Sequence, residues 1–173
     1  MTLSEKLAHL AAETDGAAVS DAARAAGRKL LLDAIGVALA GRDAPGVAAL
    51  LGLQRQWGGA PRAGVLFGDL RCAPPDAALL NAVRIHALDL DDVLTGTGLH
   101  ATCTVVPAAL AAAEDRGRTG RELLEAMILG IEVGARIGRA FRPSHAPLGL
   151  FLPTSLVGGF GATAAAGRLL GLD

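Results

Sequence analysis

Apolar residues recur every three or four positions along most of the chain, which is the spacing of amphipathic helices. Thr2 and Glu5 form a capping-box pattern ahead of a first helix. Ser20 or Asp21 can cap a second helix, which should end at Gly41 because glycine is favoured just past a helix C-terminus. The apolar positions of this second helix are Leu30, Leu31, Ala34, Val37 and Ala38.

The sequence pattern in the middle of the chain predicts two more helices separated by a loop. Residues 44–57 keep helical spacing and form the third helix. Residues 58–69 are rich in glycine, which predicts a loop with at most one short strand. Two prolines followed by Asp76 open a fourth helix, because proline is tolerated in the first helical turn, and this helix should run to about residue 88.

The clearest helix begins after a second capping box, formed by Thr119 and Glu122. Its apolar face comprises Leu124, Met127, Ile128, Ile131 and Ala135. Three glycines recur on it every fourth residue and make a smooth groove where another helix backbone can approach closely: Gly130, Gly134 and Gly138. A last helix is predicted over residues 154–170.

Composition narrows this pattern to a single all-α domain over residues 1–173. Hydrophobic residues make up 51% of the chain but aromatic residues only 3%, so the core must be built from small and aliphatic side chains. Such a composition suits close helix packing better than a β-sandwich. A net charge of −1 argues against a nucleic-acid partner, and two cysteines are too few for a disulfide framework.

Two stretches without charged residues, 93–113 and 143–167, raise the question of membrane spans. Both are interrupted by Gly, Pro, Thr and His, so we interpret them as buried helices rather than as membrane segments. The N-terminus lacks a basic region followed by an apolar run, so we expect no signal peptide and a cytoplasmic protein.

The chemically unusual segment is the acidic turn, residues 86–92, at the end of the fourth predicted helix. It carries His86, Asp89, Asp91 and Asp92, and His100 and Cys103 follow. Carboxylates this close repel one another, and a helix C-terminus is the unfavourable end of the dipole for anions. A segment that breaks local rules in this way is often functional.

Several chemistries could use this turn. A calcium-binding EF-hand loop starting at Asp89 fails, because Val93, Leu94 and His100 stand where it needs an oxygen ligand, glycine and glutamate. The Asp-x-Asp-Asp pattern also occurs in terpene cyclases, but such sites need aromatic faces that this chain lacks. Metal-free acid–base chemistry next to a carboxylate, and a solvated acidic turn without chemistry, both remain open on spacing alone.

A wider set of motifs follows a recognisable order along the chain. They are residues 31–41 (LLDAIGVALAG), 76–81 (DAALLN), 86–92 (HALDLDD), His100, 105–114 (VVPAALAAAE), 130–133 (GIEV) and 159–172 (GFGATAAAGRLLGL). Together they resemble the MmgE/PrpD family, which includes 2-methylcitrate dehydratase and cis-aconitate decarboxylase. The resemblance implies a helical domain, a separate α/β lid domain, homodimers, and no cofactor, metal or iron–sulfur cluster.

The resemblance also implies roles for single residues. Asp89 looks like the first active-site aspartate of the family and His100 like the histidine that follows it. Val93 stands where the family usually has threonine, and Leu152 stands where it has a second histidine; His145 matches no motif. Asp92, Cys103, His86 and Thr154 are further candidates for the site, whereas Asp91 is equally compatible with a solvated charge and His86 with a core histidine.

The sequence therefore predicts a shortened lyase or isomerase of PrpD type, with Asp89 and His100 as its acid–base pair. Its substrate would be a small carboxylate or carbonyl compound, and we expect a homo-oligomer or a complementing partner chain. Because the second histidine is absent, we expect no useful turnover of 2-methylcitrate or cis-aconitate by this chain alone. The alternative is a non-catalytic helical subunit that stabilises a partner.

Overall fold

The computed structural model describes residues 1–141 and 152–172 and confirms an all-α fold. Within these ranges there are seven α-helices: α1 (Leu3–Glu13), α2 (Asp21–Ala40), α3 (Val47–Trp57), α4 (Pro74–His86), α5 (Thr102–Arg116), α6 (Gly120–Phe141) and α7 (Pro153–Leu170). Two short 3-10 helices, Gly16–Ala18 and Gly41–Asp43, flank α2. Strands β1 (Ala63–Gly64) and β2 (Arg71–Cys72) form an antiparallel hairpin with Ala63 opposite Cys72.

Most predicted helix ends agree with the structure to within three residues. The third helix begins at Val47 rather than at residue 44, after Gly46 in a left-handed conformation with φ of 88°. The fourth helix ends at His86 rather than near residue 88. Leu10 and Ala11 lie on α1, and the capping boxes at Thr2 and Thr119 are both present.

The two uncharged stretches differ where they are described: the first is only partly helical, and the second is helical from Pro153 onward. The first enters α5 at Thr102, and residues 93–101 before it form a loop in which Gly96 and Gly98 take positive φ values of 88° and 69°. Residues 143–151 of the second stretch, including His145, lie outside the described residues; from Pro153 onward that stretch belongs to α7.

Helix α5 lies at the centre of the domain and packs against α4, α6 and α7. It is apolar on nearly every side, as a helix surrounded by others must be. Its fully or almost fully buried residues include Val105, Val106, Pro107, Ala109 and Ala112. The predicted apolar face of α6 contacts the same core, with Leu124 and Val133 buried and Ile128 and Ile131 partly buried.

Helix α2 buries its small residues and exposes several of its large ones. Gly27, Ala34 and Ala38 face the interior. Leu32, Ile35 and Leu39 lie on the outer side, where 72%, 36% and 45% of their surfaces are exposed. These three side chains are spaced so that they form an apolar stripe along the solvent side of the helix.

The glycine groove predicted on α6 is where α7 makes its closest approach. A methyl group added at Gly130 would lie 2.6 Å from the carbonyl oxygen of Gly161, and one added at Gly161 would lie 2.7 Å from the carbonyl oxygen of Gly130. Neither distance is possible for a real side chain, so the two backbones touch because both residues are glycine. Gly138 packs against Thr97 in the loop before α5.

Among the described residues, no single helix is both long and apolar enough to cross a bilayer. Two successive helical segments, Asp21–Asp43 and Val47–Trp57, are together long and apolar enough for a membrane span, but a bend of 90° separates them.

We predict that Gly130→Ala destabilises the domain by about 1–3 kcal/mol, because the added methyl group overpacks the contact with Gly161, Ala165 and Val105. The matched control is Gly36→Ala on α2, where the methyl group meets no atom within 4 Å and should stabilise the helix by about 0.5–1 kcal/mol. Urea unfolding followed by circular dichroism measures both values, and equal effects of the two changes would contradict the close contact.

Candidate active site

The acidic turn begins at His86, the last residue of α4, and leads into the loop before α5. The backbone N–H of Asp89 donates to the carbonyl of His86 at 3.1 Å, which closes the turn just after the helix. Asp89 itself has φ of 53°, a left-handed conformation that aspartate tolerates better than most residues. Its side chain is 78% exposed and points away from the core.

Asp91 is the buried member of the turn. Its side chain is fully inaccessible to solvent, and its two carboxylate oxygens lie 2.9 and 3.1 Å from Nδ1 of His86. The interpretation of Asp91 as a solvated charge is therefore wrong. A carboxylate without solvent needs hydrogen-bond donors, and the His86 imidazole supplies one.

His100 lies beside His86, with its two ring nitrogens facing two different carboxylates. Nδ1 is buried and lies 3.5 Å from Oδ1 of Asp91, in a geometry that does not meet hydrogen-bond criteria. Nε2 lies 3.9 Å from Oδ1 of the exposed Asp89. The centroids of the two imidazole rings are 5.0 Å apart in an edge-on arrangement, so these four residues form one compact cluster.

Asp92 faces the N-terminus of α5 instead of the imidazoles. One carboxylate oxygen accepts the backbone N–H of Thr102 at 2.8 Å and its hydroxyl at 2.5 Å, and the other accepts the N–H of Ala101 at 3.3 Å. The carboxylate thus caps a helix whose own sequence supplies no capping side chain. A negative charge there also interacts favourably with the helix dipole.

The start of α7 supports the backbone of His100 from the other side. The Thr154 hydroxyl accepts the backbone N–H of His100 at 2.9 Å. Leu152, at the position where the resemblance implies a second histidine, directly precedes α7 and is 67% exposed. Thr154 is therefore placed to orient His100 through its backbone.

Cys103 lies beneath the cluster and is 3% exposed. Its thiol donates to the carbonyl of His100 at 3.3 Å. Burial, followed by the nearby carboxylate of Asp91, raises the pKa of this thiol well above its ordinary range. The sulfur therefore stays protonated at neutral pH and is not an activated nucleophile.

One donor atom from each of His86, Asp89, Asp91 and His100 lies within 4.8 Å of the other three. That spacing could admit a divalent cation on distance alone. The contacts between Asp91 and His86 already have the geometry of a histidine–carboxylate hydrogen bond, so we assign no ligand role to the cluster.

Comparisons with known proteins agree with this arrangement of helices and motifs. Residues 5–173 match the MmgE/PrpD N-terminal domain. The chain belongs to the MmgE/PrpD family. A cis-aconitate decarboxylase-like protein of Aspergillus oryzae is 30% identical over 168 residues, which cover 84% of this chain and 32% of that protein.

Two cis-aconitate decarboxylases are also similar to this chain. The Homo sapiens enzyme is 37% identical over 109 residues, covering 61% of this chain and 22% of the enzyme. The Aspergillus terreus enzyme is 35% identical over 107 residues, covering 59% of this chain and 22% of the enzyme. The chain thus spans about a third or less of the length of these curated relatives.

The structure brings most of the predicted site residues of this MmgE/PrpD domain together. Asp89, His100 and His86 share the cluster, while Asp92, Thr154 and Cys103 contact the backbone around it. Sequence reasoning missed the part played by Asp91. The spacing of five residues between His86 and Asp91 could have indicated their contact. A helix that ends at the histidine allows the chain to turn back and bring Asp91 to the imidazole within that distance.

We predict that Asp92→Asn lowers the free energy of unfolding by about 1–2 kcal/mol, because an amide nitrogen would replace one of the two oxygens that cap α5. Asp89→Asn removes the same charge from an exposed side chain and should change stability by less than about 0.5 kcal/mol. Urea unfolding distinguishes the two, and a larger effect at Asp89 would show that the capping role is misassigned.

Proposed function

We propose that this chain forms part of a lyase or isomerase that moves a proton at carbon next to a carbonyl or carboxylate group. The observation that carries the proposal is the placement of His100, whose inner nitrogen lies 3.5 Å from buried Asp91 and whose outer nitrogen faces exposed Asp89. A buried carboxylate behind an imidazole is the arrangement that holds a histidine in position for general acid–base work.

In this proposal Nε2 of His100 takes or returns the substrate proton. The side chain of His100 is 22% exposed, so it is partly accessible to a small molecule. Asp89 lies 3.9 Å from that nitrogen and can orient the imidazole or accept a hydrogen bond from substrate. No step of this chemistry calls on a metal, and we expect activity to persist after treatment with a chelator.

The relatives support a small carboxylate as the substrate class, since three of them are named cis-aconitate decarboxylase or cis-aconitate decarboxylase-like. Binding an anion also needs positive charge near the reacting atoms. The acidic turn and His100 together supply three carboxylates and two imidazoles instead. We therefore infer that cationic groups from another part of an assembly complete the substrate pocket.

A second candidate function is that of a non-catalytic subunit that binds a partner. Large apolar side chains in and after the acidic turn and just before α7 are exposed: Leu88, Leu90, Val93 and Leu152 are 42%, 63%, 59% and 67% exposed. Apolar surface beside a polar cluster is typical of a protein-binding face. The same feature also fits an enzyme whose pocket is completed by another chain, so the experiment must test the chemistry directly.

We predict that the purified chain catalyses uptake of deuterium from D₂O at the carbon next to the carboxyl group of a small carboxylic or keto acid. Asp89→Asn and His100→Gln should each reduce the rate by about 100-fold or more, the usual contribution of a general acid or base. Proton NMR measures the exchange, and circular dichroism establishes that each variant is folded.

The control is Glu13→Gln, which alters a second histidine–carboxylate pair on the exposed surface of α1, where His9 lies 2.8 Å from Glu13. It should leave exchange unchanged. Exchange that survives both site variants would show that the acidic turn is structural. With cis-aconitate we expect no decarboxylation by this chain alone, because Leu152 cannot carry a proton.

We also expect the chain to assemble, either with itself or with a complementing partner, because apolar side chains are exposed on α2 and around the acidic turn. Small-angle scattering over a series of micromolar concentrations should give a mass above that of one 17.4 kDa chain. A monomer mass throughout the series, together with no protein that co-purifies, would contradict this expectation.

A further inference from the structure

Asp91 is the only carboxylate of the acidic turn with no solvent contact, and the Nδ1 atoms of two imidazoles converge on its Oδ1 atom. The distance from Oδ1 is 2.9 Å to His86 and 3.5 Å to His100. The contact with His86 is a hydrogen bond, whereas the contact with His100 is longer and is electrostatic in this geometry. A carboxylate oxygen can accept more than one hydrogen bond and offers only acceptors when ionised, so it favours a hydrogen on each nitrogen that faces it.

We propose that Asp91 is a positioning residue that holds both imidazoles as their Nδ1–H tautomers, and that His86 is thereby a second proton carrier beside His100. The role of His86 rests on the proposed function, whereas the role of Asp91 does not. In the neutral ring, a hydrogen on Nδ1 leaves the lone pair on Nε2. Asp91 therefore directs two basic nitrogens away from itself.

The exposure of the two rings agrees with this orientation. The side chain of His86 is 37% exposed and that of His100 is 22% exposed, although the carboxylate between their Nδ1 atoms is fully buried. Because the Nδ1 atoms face that buried carboxylate, this exposure is consistent with the opposite edges, which carry Nε2, lying toward solvent. These are the edges that a substrate on the open side of the cluster would meet.

The two rings are close enough to act on one small substrate. Their centroids are 5.0 Å apart, and a hydrogen on Nδ1 of each ring leaves the Nε2 lone pairs free. An imidazole can take or return a proton at Nε2, so the two rings can serve as proton acceptor and proton donor in the proposed chemistry, a role that Leu152 cannot fill.

The other polar groups near the rings do not compete for Nδ1. Asp89 faces Nε2 of His100, and Asp92 accepts hydrogen bonds from the α5 backbone. The thiol of Cys103 contacts the carbonyl of His100 and the carboxylate of Asp91, and not a ring nitrogen. Asp91 is therefore the group that distinguishes the two nitrogens of each ring within the described part of the chain.

Nitrogen-15 NMR of the labelled full chain reads the tautomer directly. Nitrogen-15 shifts also separate the two neutral tautomers from the imidazolium, so spectra are collected over a pH series and the tautomer is determined where the rings are neutral. We expect a hydrogen on Nδ1 and none on Nε2 in His86 and in His100. Asp91→Leu, which keeps a similar volume but has no acceptor, should lose the Nδ1–H form at both rings.

If Asp91→Leu does not fold, Asp91→Asn provides the same test, because its amide keeps one oxygen and should lose the Nδ1–H form at one ring at least. Glu13→Gln is the matched control and should leave the spectra of both rings unchanged. An Nε2–H tautomer at either ring of the wild-type chain, or unchanged tautomers in the Asp91 variants, would overturn the positioning role.

His86→Gln tests the second half of the proposal. It should reduce deuterium exchange by about 100-fold while His100 keeps its Nδ1–H tautomer. Unchanged exchange in this variant would overturn the role of His86. Absence of exchange in the wild-type chain would refute the proposed function and, with it, the proton-carrying role of His86. The positioning role of Asp91 is tested separately, by the NMR spectra.

Discussion

The backbone contact between Gly130 and Gly161 constrains the rest of the structure. With so few aromatic side chains, the core cannot be filled by large rings, and the helices must come close enough for small residues to exclude water. The contact fixes α7 against α6. Thr154 lies seven residues before Gly161 on the same helix, about 10 Å away along its axis, so the glycine contact also determines where the Thr154 hydroxyl meets His100.

Three aspartates within four positions have three different environments, and their tasks follow from those environments. Asp89 is exposed, Asp91 is enclosed between imidazoles, and Asp92 caps a helix. The repulsion expected from crowded carboxylates is relieved because each one faces a different set of donors. The helix that ends at His86 therefore does not carry three unpaired negative charges at its C-terminus.

The sequence was sufficient to predict the all-α class, the capping boxes and the glycine groove, because each depends on local chemistry or on a regular period. The family, too, could be recognised from motifs alone and is confirmed by the match over residues 5–173. The partners of Asp91 and Asp92 could not be distinguished in this way. The two residues are adjacent and chemically identical, and only the path of the loop to α5 decides which carboxylate meets an imidazole and which meets Thr102.

The left-handed backbone at Asp89 has a consequence for how this position can vary during evolution. Glycine, asparagine and aspartate accept such a φ angle at little cost, whereas a β-branched residue does not. A lineage that no longer needed the carboxylate would therefore drift first to asparagine or glycine here. Chemistry at this turn would therefore appear as aspartate retained in preference to asparagine and glycine in particular.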